Sequence, residues 1–186
     1  MKKLYVTLLM LLVVASSYAQ TPLSVGAKAP LFVALADNDQ LWKLADYVGK
    51  KNIVIFFYPA AMTGGCTAQA CSYRDELAGI EALDAIVLGI SGDDVAALKV
   101  FKRAHQLNYS LLSDFDGAVA AQFGVPTRDG GVLSRIVDET EFQLTRGVTA
   151  SRWTFIIGKD GNIRYINQQV DAANDSKAVL DILSQK

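Results

Sequence analysis

Residues 53–66 read Ile53-Val54-Ile55-Phe56-Phe57-Tyr58-Pro59-Ala60-Ala61-Met62-Thr63-Gly64-Gly65-Cys66. The first six are β-branched or aromatic, the residue types that fit a pleated strand. No polar residue alternates with them, so the strand is expected to be buried on both faces. Pro59 ends it, and a Gly-Gly loop follows. From Cys66 to about Ile80 there is no Pro, and Ala70, Tyr73, Leu77 and Ile80 recur with a period near 3.6. That spacing predicts a helix with one buried face. A buried strand handing over to a helix through a short loop is the opening of an α/β layer structure.

Outward from this unit, Ala85 to Ile90 reads as a second buried strand. Asp93 opens a helix to about Leu107, with Val95, Leu98, Phe101 and Leu107 facing inward. Asp116 precedes a short helical stretch, Gly117 to Phe123. Residues 125–150 carry no clear period, and Asp129-Gly130-Gly131 marks a turn. Trp153–Ile157 and Ile163–Ile166 form a hairpin around Lys159-Asp160-Gly161-Asn162. Asp175 or Ser176 caps a last helix to about Ser184. The order β-α-β-α-β-β-α predicts an α/β fold, a central mixed β-sheet flanked by helices. Trp42 and Trp153 are read as packing residues.

Composition bounds the function. The chain has 186 residues, 51% of them hydrophobic and 20% charged, enough for one domain with a sizeable core. The formal net charge is -1, and no Lys/Arg run exceeds two residues, so a nucleic-acid partner has no electrostatic footprint. Two Cys and one His are too few soft ligands for a zinc site. Two carboxylates in Asp114-Phe115-Asp116 read as a helix cap rather than a metal site. His105, the single His, is far in sequence from Cys66 and is read as structural.

The N-terminus has the layout of a secretory signal peptide. Lys2 and Lys3 precede the apolar run Leu4–Ala15, and small residues follow at Ser17 and Ala19. The run is about twelve residues, short of the roughly twenty that span a bilayer. Residues 1–19 are therefore expected to be removed, with no stable membrane insertion afterwards, leaving one domain over 20–186. The expected location is exported, periplasmic or secreted, where thiols tend to be oxidised.

Cys66 falls in the first helical turn, where free backbone N–H groups and the positive helix end stabilise an anion. An ordinary thiol is only about 3% thiolate at pH 7. Helix N-terminal placement and a nearby cation raise that fraction, and the thiolate is the nucleophile. Taken alone, this position fits an inert buried Cys equally well. Cys71 lies five residues on, within the same predicted helix. Five residues rise about 7.5 Å and turn about 140°, which puts the Cα atoms about 8.7 Å apart. A disulfide needs about 7 Å or less. The pair can bond only if the first turn unwinds, so it is a poor staple and a plausible switch.

Pro59-Ala60-Ala61-Met62-Thr63-Gly64-Gly65-Cys66 resembles the Pro-x-x-x-Thr/Ser-x-x-Cys signature of peroxiredoxins. A second Cys five residues on resembles their bacterioferritin comigratory protein, or PrxQ-type, subfamily. Ser151-Arg152-Trp153-Thr154-Phe155-Ile156-Ile157 resembles the Arg-bearing strand of that family, and the resemblance runs from about Val25 to Ile166. It implies a thioredoxin-like fold and a thiol peroxidase acting on hydrogen peroxide or organic hydroperoxides, with no metal, haem or flavin. By motif position, Cys66 is implied as the peroxidatic Cys and Cys71 as the resolving Cys. Pro59 is implied to shield the thiolate, Thr63 to hydrogen-bond thiolate and peroxide, and Arg152 to favour the thiolate and polarise the peroxide. The subfamily resemblance also implies a monomer.

Three features depart from the pattern. Thr63-Gly64-Gly65-Cys66 stands where the subfamily usually has Thr-Pro-Gly-Cys. Gln69 stands where Glu is common, removing a charge near the site. The stretch 126–149 looks longer than in compact members and is expected to reshape the pocket rim. Export would require an exported thioredoxin-like dithiol reductant. Two other functions stay open on the residues alone: an exported thiol–disulfide oxidoreductase acting on protein disulfides, and a redox-dependent binding protein. Arg135, Arg146 and Arg164 are read as scattered charges.

Overall fold

The strand at 52–57 is covered on both sides, which is why its sequence shows no polar alternation. A computed structural model describes residues 23–185; the signal-peptide reading of residues 1–19 lies outside the described residues. In chain order the elements are β1 (Val33–Ala36), β2 (Leu41–Lys43), β3 (Asn52–Phe57), α1 (Gly64–Ala82), β4 (Ala85–Ser91), α2 (Val95–His105), β5 (Ser110–Ser113), α3 (Ala118–Gln122), β6 (Thr127–Val137), β7 (Thr140–Ala150), β8 (Trp153–Ile157), β9 (Ile163–Asn167) and α4 (Asp175–Ser184). Seven strands form one sheet in the order β2-β1-β5-β4-β3-β8-β9, and β6 pairs with β7 in a separate ribbon. β3, β4 and β5 run parallel, while β8 is antiparallel to β3. This is the mixed α/β sheet of a thioredoxin-like fold.

Side chains of β3 divide strictly by parity. Ile53, Ile55 and Phe57 pack with Val119, Ala120 and Phe123 on one face. Val54, Phe56 and Tyr58 pack on the other with Ala70, Tyr73, Leu77 and Ile80 of α1, Leu98 and Phe101 of α2, and Val179 of α4. Each Val, Leu, Ile or Phe among them stabilises the fold by about 1.5–3 kcal/mol relative to exposure. Phe56 also stacks on Tyr73 at 4.6 Å, tying the strand to α1. A Cβ on Gly89 of β4 would lie 2.8 Å from Phe56 Cζ, so the neighbouring strand needs glycine there.

Several boundaries differ from the expectation. α1 starts at Gly64, two residues before Cys66. α2 is capped by Asp94, whose side chain accepts from Ala97 N at 2.7 Å; Asp93 is buried instead. α2 stops at His105 because Gln106 turns left-handed, which frees Ser110–Ser113 to pair with β4. The short strands β1 and β2 were too brief to show a period, although β1 alternates exposed and buried. Asp114 does cap a helix: its carboxyl accepts from Val119 N and Ala120 N of α3, both at 2.8 Å. Trp42 packs as expected, stacked on Tyr47 at 4.9 Å.

The largest correction concerns 125–150. Asp129-Gly130-Gly131 is not a turn but lies within β6, and the ribbon reverses at Asp138-Glu139, both with positive φ. Gly130 has a different role: a Cβ there would lie 1.9 Å from the Arg146 carbonyl oxygen of the facing strand. The expected cap of the last helix is also corrected. Asn174 occupies the N-cap of α4, and Asp175 is buried, 2% exposed.

Candidate active site

The site forms where β3 ends and α1 begins. Thr63 is the N-cap of α1, extended at φ -104° and ψ 149°, with no side-chain capping bond. Its hydroxyl donates to the Ala60 carbonyl at 2.9 Å. In this structure the hydroxyl proton is directed at Ala60 rather than at the thiol. The first N–H groups of a helix have no intrahelical acceptor, so this end carries a partial positive charge. Cys66 sits there, 1% exposed.

Arg152 comes from the residue before β8, and antiparallel pairing of β8 with β3 brings it over the first turn of α1. Its Nη2 donates to Cys66 Sγ at 3.3 Å, and its Nη1 donates to Gln69 Oε1 at 2.5 Å. A Cβ on Gly65 would lie 3.4 Å from that Nη2, in ordinary contact with the guanidinium. The cation thus faces sulfur rather than a carboxylate. A guanidinium and a helix N-terminus on one thiol are the two devices that favour a thiolate.

Gln69 brings no charge of its own, but it is bonded to one. Fully buried, it receives Arg152 through Oε1 and donates through Nε2 to Asp175 Oδ2 at 2.7 Å. The carboxyl thus comes from α4, one residue further back. The same Oδ2 accepts from Tyr73 OH and Thr154 Oγ1, each at 2.7 Å.

The loop ahead of Cys66 is held from the other side. Ala61 N donates to Asp93 Oδ2 at 2.8 Å, and Ser91 Oγ donates to the same oxygen at 2.8 Å. Burial pushes the Asp93 carboxyl above the usual carboxylate range, against these two donors and Arg146. Arg146 Nη1 stands 3.9 Å from Asp93 Oδ1, too far for a hydrogen bond. Arg135 Nε donates to the Met62 carbonyl at 3.0 Å, fixing a residue with φ +60°. Of the charges read as scattered, Arg135 grips this loop from the ribbon, while Arg146 donates through Nε to Thr149 Oγ1 at 2.9 Å within the ribbon and faces Asp93.

Pro59, Arg128, Thr149 and Arg152 line a cavity of about 270 Å³, with the ribbon supplying one wall. Cys66 does not line it; Arg152 lines it and also reaches the thiol. Cys71 is half-buried further along α1, and both thiols are free. With α1 unbroken from Gly64 to Ala82, the two cannot bond in this conformation. His105 lies elsewhere, its ring edge-on to Phe101 at 5.3 Å.

Known proteins share this sequence pattern and fold. Residues 25–166 match the AhpC/TSA family. A putative peroxiredoxin bcp of Haemophilus influenzae is 36% identical over 162 residues, covering 87% of this chain and 97% of that protein. The peroxiredoxin Bcp of Escherichia coli K12 is 35% identical over 165 residues, covering 88% and 97%. The crystal structure of the peroxidoxin BcpB from Mycobacterium tuberculosis superposes with a TM-score of 0.71 at 30% identity, covering 87% of this chain and 96% of that one. A strand-to-helix Cys under an Arg, on this sheet and with these relatives, places the chain in the AhpC/TSA family as a Bcp/PrxQ-type peroxiredoxin.

Proposed function

We propose that Cys66 is the peroxidatic thiol of this thiol peroxidase and Cys71 its resolving thiol. The observation that carries the assignment is Arg152 Nη2 at 3.3 Å from Cys66 Sγ in the first turn of α1. The Cys66 thiolate attacks one oxygen of a hydroperoxide. An S–O bond forms, the O–O bond breaks, and the leaving oxygen departs as alkoxide or hydroxide and takes up a proton. Arg152 and the N–H groups of the first turn stabilise that developing charge. Thr63 Oγ1, its own proton directed at Ala60, accepts the hydroperoxide O–H. Pro59, which lines the cavity, takes the thiolate-shielding role that the family resemblance implies.

The product is a Cys66 sulfenic acid, which condenses with the Cys71 thiol to a disulfide and releases water. This step requires the first turn of α1 to unwind, since the intact helix holds the pair apart. A dithiol then reduces the disulfide by exchange. The Leu4–Ala15 run and the Ser17/Ala19 site support export with cleavage after Ala19. The reductant is then an exported thioredoxin-like protein, and the enzyme acts as a monomer on hydrogen peroxide or organic hydroperoxides.

One equivalent of hydrogen peroxide added to the reduced protein tests the cycle. Peroxide should vanish, mass should fall by about 2 Da, and no free thiol should remain. A gain of one oxygen with Cys71 still free would remove the resolving role. Peroxide consumption that persists in Cys66→Ser would overturn the assignment of the nucleophile.

A further inference from the structure

We infer that Asp175, on the C-terminal helix α4, is a positioning residue that acts through Gln69 to hold Arg152 against the Cys66 thiol. The inference rests on the assignment of Cys66 as nucleophile. Asp175 is 2% exposed, and it is not used as a helix cap, the ordinary role of an Asp at such a position. Its Oδ2 instead collects three donors at 2.7 Å: Gln69 Nε2, Tyr73 OH and Thr154 Oγ1. Its Oδ1 is buried without a partner among the described residues.

The chemistry of the amide makes the relay directional. Gln69 has one acceptor end and one donor end. Arg152 offers only donors and needs the acceptor end, so the Nε2 end must find an acceptor elsewhere. Asp175 is that acceptor, and it fixes which way the amide points. With Gln69 oriented, Arg152 has one fork atom anchored at 2.5 Å and the other at Cys66 Sγ at 3.3 Å. Tyr73 and Thr154 hold the carboxyl from α1 and β8, so the relay joins three elements behind the thiol. The titratable groups facing Asp175 are Tyr73 and Tyr165, and burial pushes both phenols above their usual range. Those facing Cys66 are Arg152 and the buried Tyr58.

The test is the pH midpoint of Cys66 alkylation by iodoacetamide, measured in a Cys71→Ser background so that one thiol reacts. It is paired with the rate of the first peroxide turnover. Asp175→Ala leaves Gln69 without an acceptor. The midpoint should rise by about one pH unit, and the peroxide rate should fall about tenfold. Asp175→Asn keeps an acceptor oxygen and should restore both to within about twofold of the parent. A second pair covers the case in which Asp175→Ala does not fold. Gln69→Glu sets two acceptors against each other at the relay and should lower the peroxide rate; adding Asp175→Asn, which can turn a donor toward Glu, should recover it. Unchanged alkylation midpoints with only a lower melting temperature would make Asp175 a packing residue and overturn the proposal. So would an Asp175→Asn variant as impaired as Asp175→Ala, or a Gln69→Glu defect that the second substitution does not relieve. If the parent protein consumes no peroxide, the peroxidase assignment fails, while the alkylation midpoints still decide whether Asp175 acts on the thiol.

Discussion

One guanidinium joins the two halves of the site. Arg152 spends Nη2 on Cys66 Sγ and Nη1 on Gln69 Oε1, two acceptors met by one planar fork. A lysine ammonium is a single point charge and cannot hold both with the same geometry. Arg152→Lys is therefore expected to lower the peroxide rate constant about 100-fold, in line with the loss of one charge-stabilising donor at about 2.7 kcal/mol. Stopped-flow Trp fluorescence of the reduced protein checks it, and a Lys variant within twofold of wild type would show that charge alone suffices. At this scale the sequence was informative where a motif spans few residues. Pro59, Thr63 and Cys66 lie within eight positions, and all three fall in or beside one loop. It was silent where partners lie far apart. The Gln69–Asp175 pair is separated by 106 positions, and nothing in either residue's surroundings announces that they touch. The hydroxyl of Thr63 was given its role by resemblance, and the structure redirects its proton to Ala60.

At the scale of elements, α1 must be firm enough to present the thiol and soft enough to release it. Gly64 is where this balance is set. It occupies the first helical position, where Pro is well suited because its φ is fixed near helical values and its missing N–H has no intrahelical use. Thr63 before it is already extended at φ -104° and ψ 149°, the conformation a following Pro demands. A side chain at Gly64 meets nothing within 4 Å. Gly64→Pro should therefore stabilise the reduced protein by about 0.4–1 kcal/mol through the unfolded chain. It should also slow closure of the Cys66–Cys71 bond, because the unwound turn loses conformations. Urea unfolding and quenched-flow thiol counting read the two effects, and a destabilised variant would contradict the assignment of Gly64 to an open first position. The β6–β7 ribbon bears on the same balance from outside. Arg135 bonds the Met62 carbonyl at 3.0 Å, so Arg135→Ala should increase hydrogen exchange across residues 60–66. Unchanged exchange there would assign the loop's rigidity to Asp93 alone. The ribbon was not legible because both strands are largely solvated and lack a clean alternation. Its tight reversal uses Asp138-Glu139 rather than the Gly pair that usually signals one.

Across the whole molecule, the fold was legible wherever burial is two-sided or periodic, as in β3, β4, α1 and β8. It was obscure where short edge strands carry little pattern. Ionisation follows the same division between inside and outside, and it sets how stability should vary with pH. Asp93 and Asp114 lie inside, and burial, the dominant cause, raises both carboxyls above the usual value of 3.8. A carboxyl raised in the folded state ionises first in the unfolded chain as pH climbs. Its stabilising contribution is complete below the unfolded value and is lost as pH rises through the folded value. Asp84 lies outside, bonded to Lys159 and Lys51, and is held down at about 2. Its contribution has the opposite sign: present above the unfolded value and lost as pH falls through the folded one. Two limbs should result, an acid limb from exposed carboxylates such as Asp84 and a decline above 3.8 from Asp93 and Asp114. Asp93→Asn separates them. The amide keeps an acceptor oxygen for Ala61 N and Ser91 Oγ but cannot ionise. Urea unfolding from about pH 3 to about pH 8 should show a shallower decline in the variant with the acid limb unchanged. An identical slope in both proteins would mean that Arg146, 3.9 Å from Oδ1, compensates the buried charge in full.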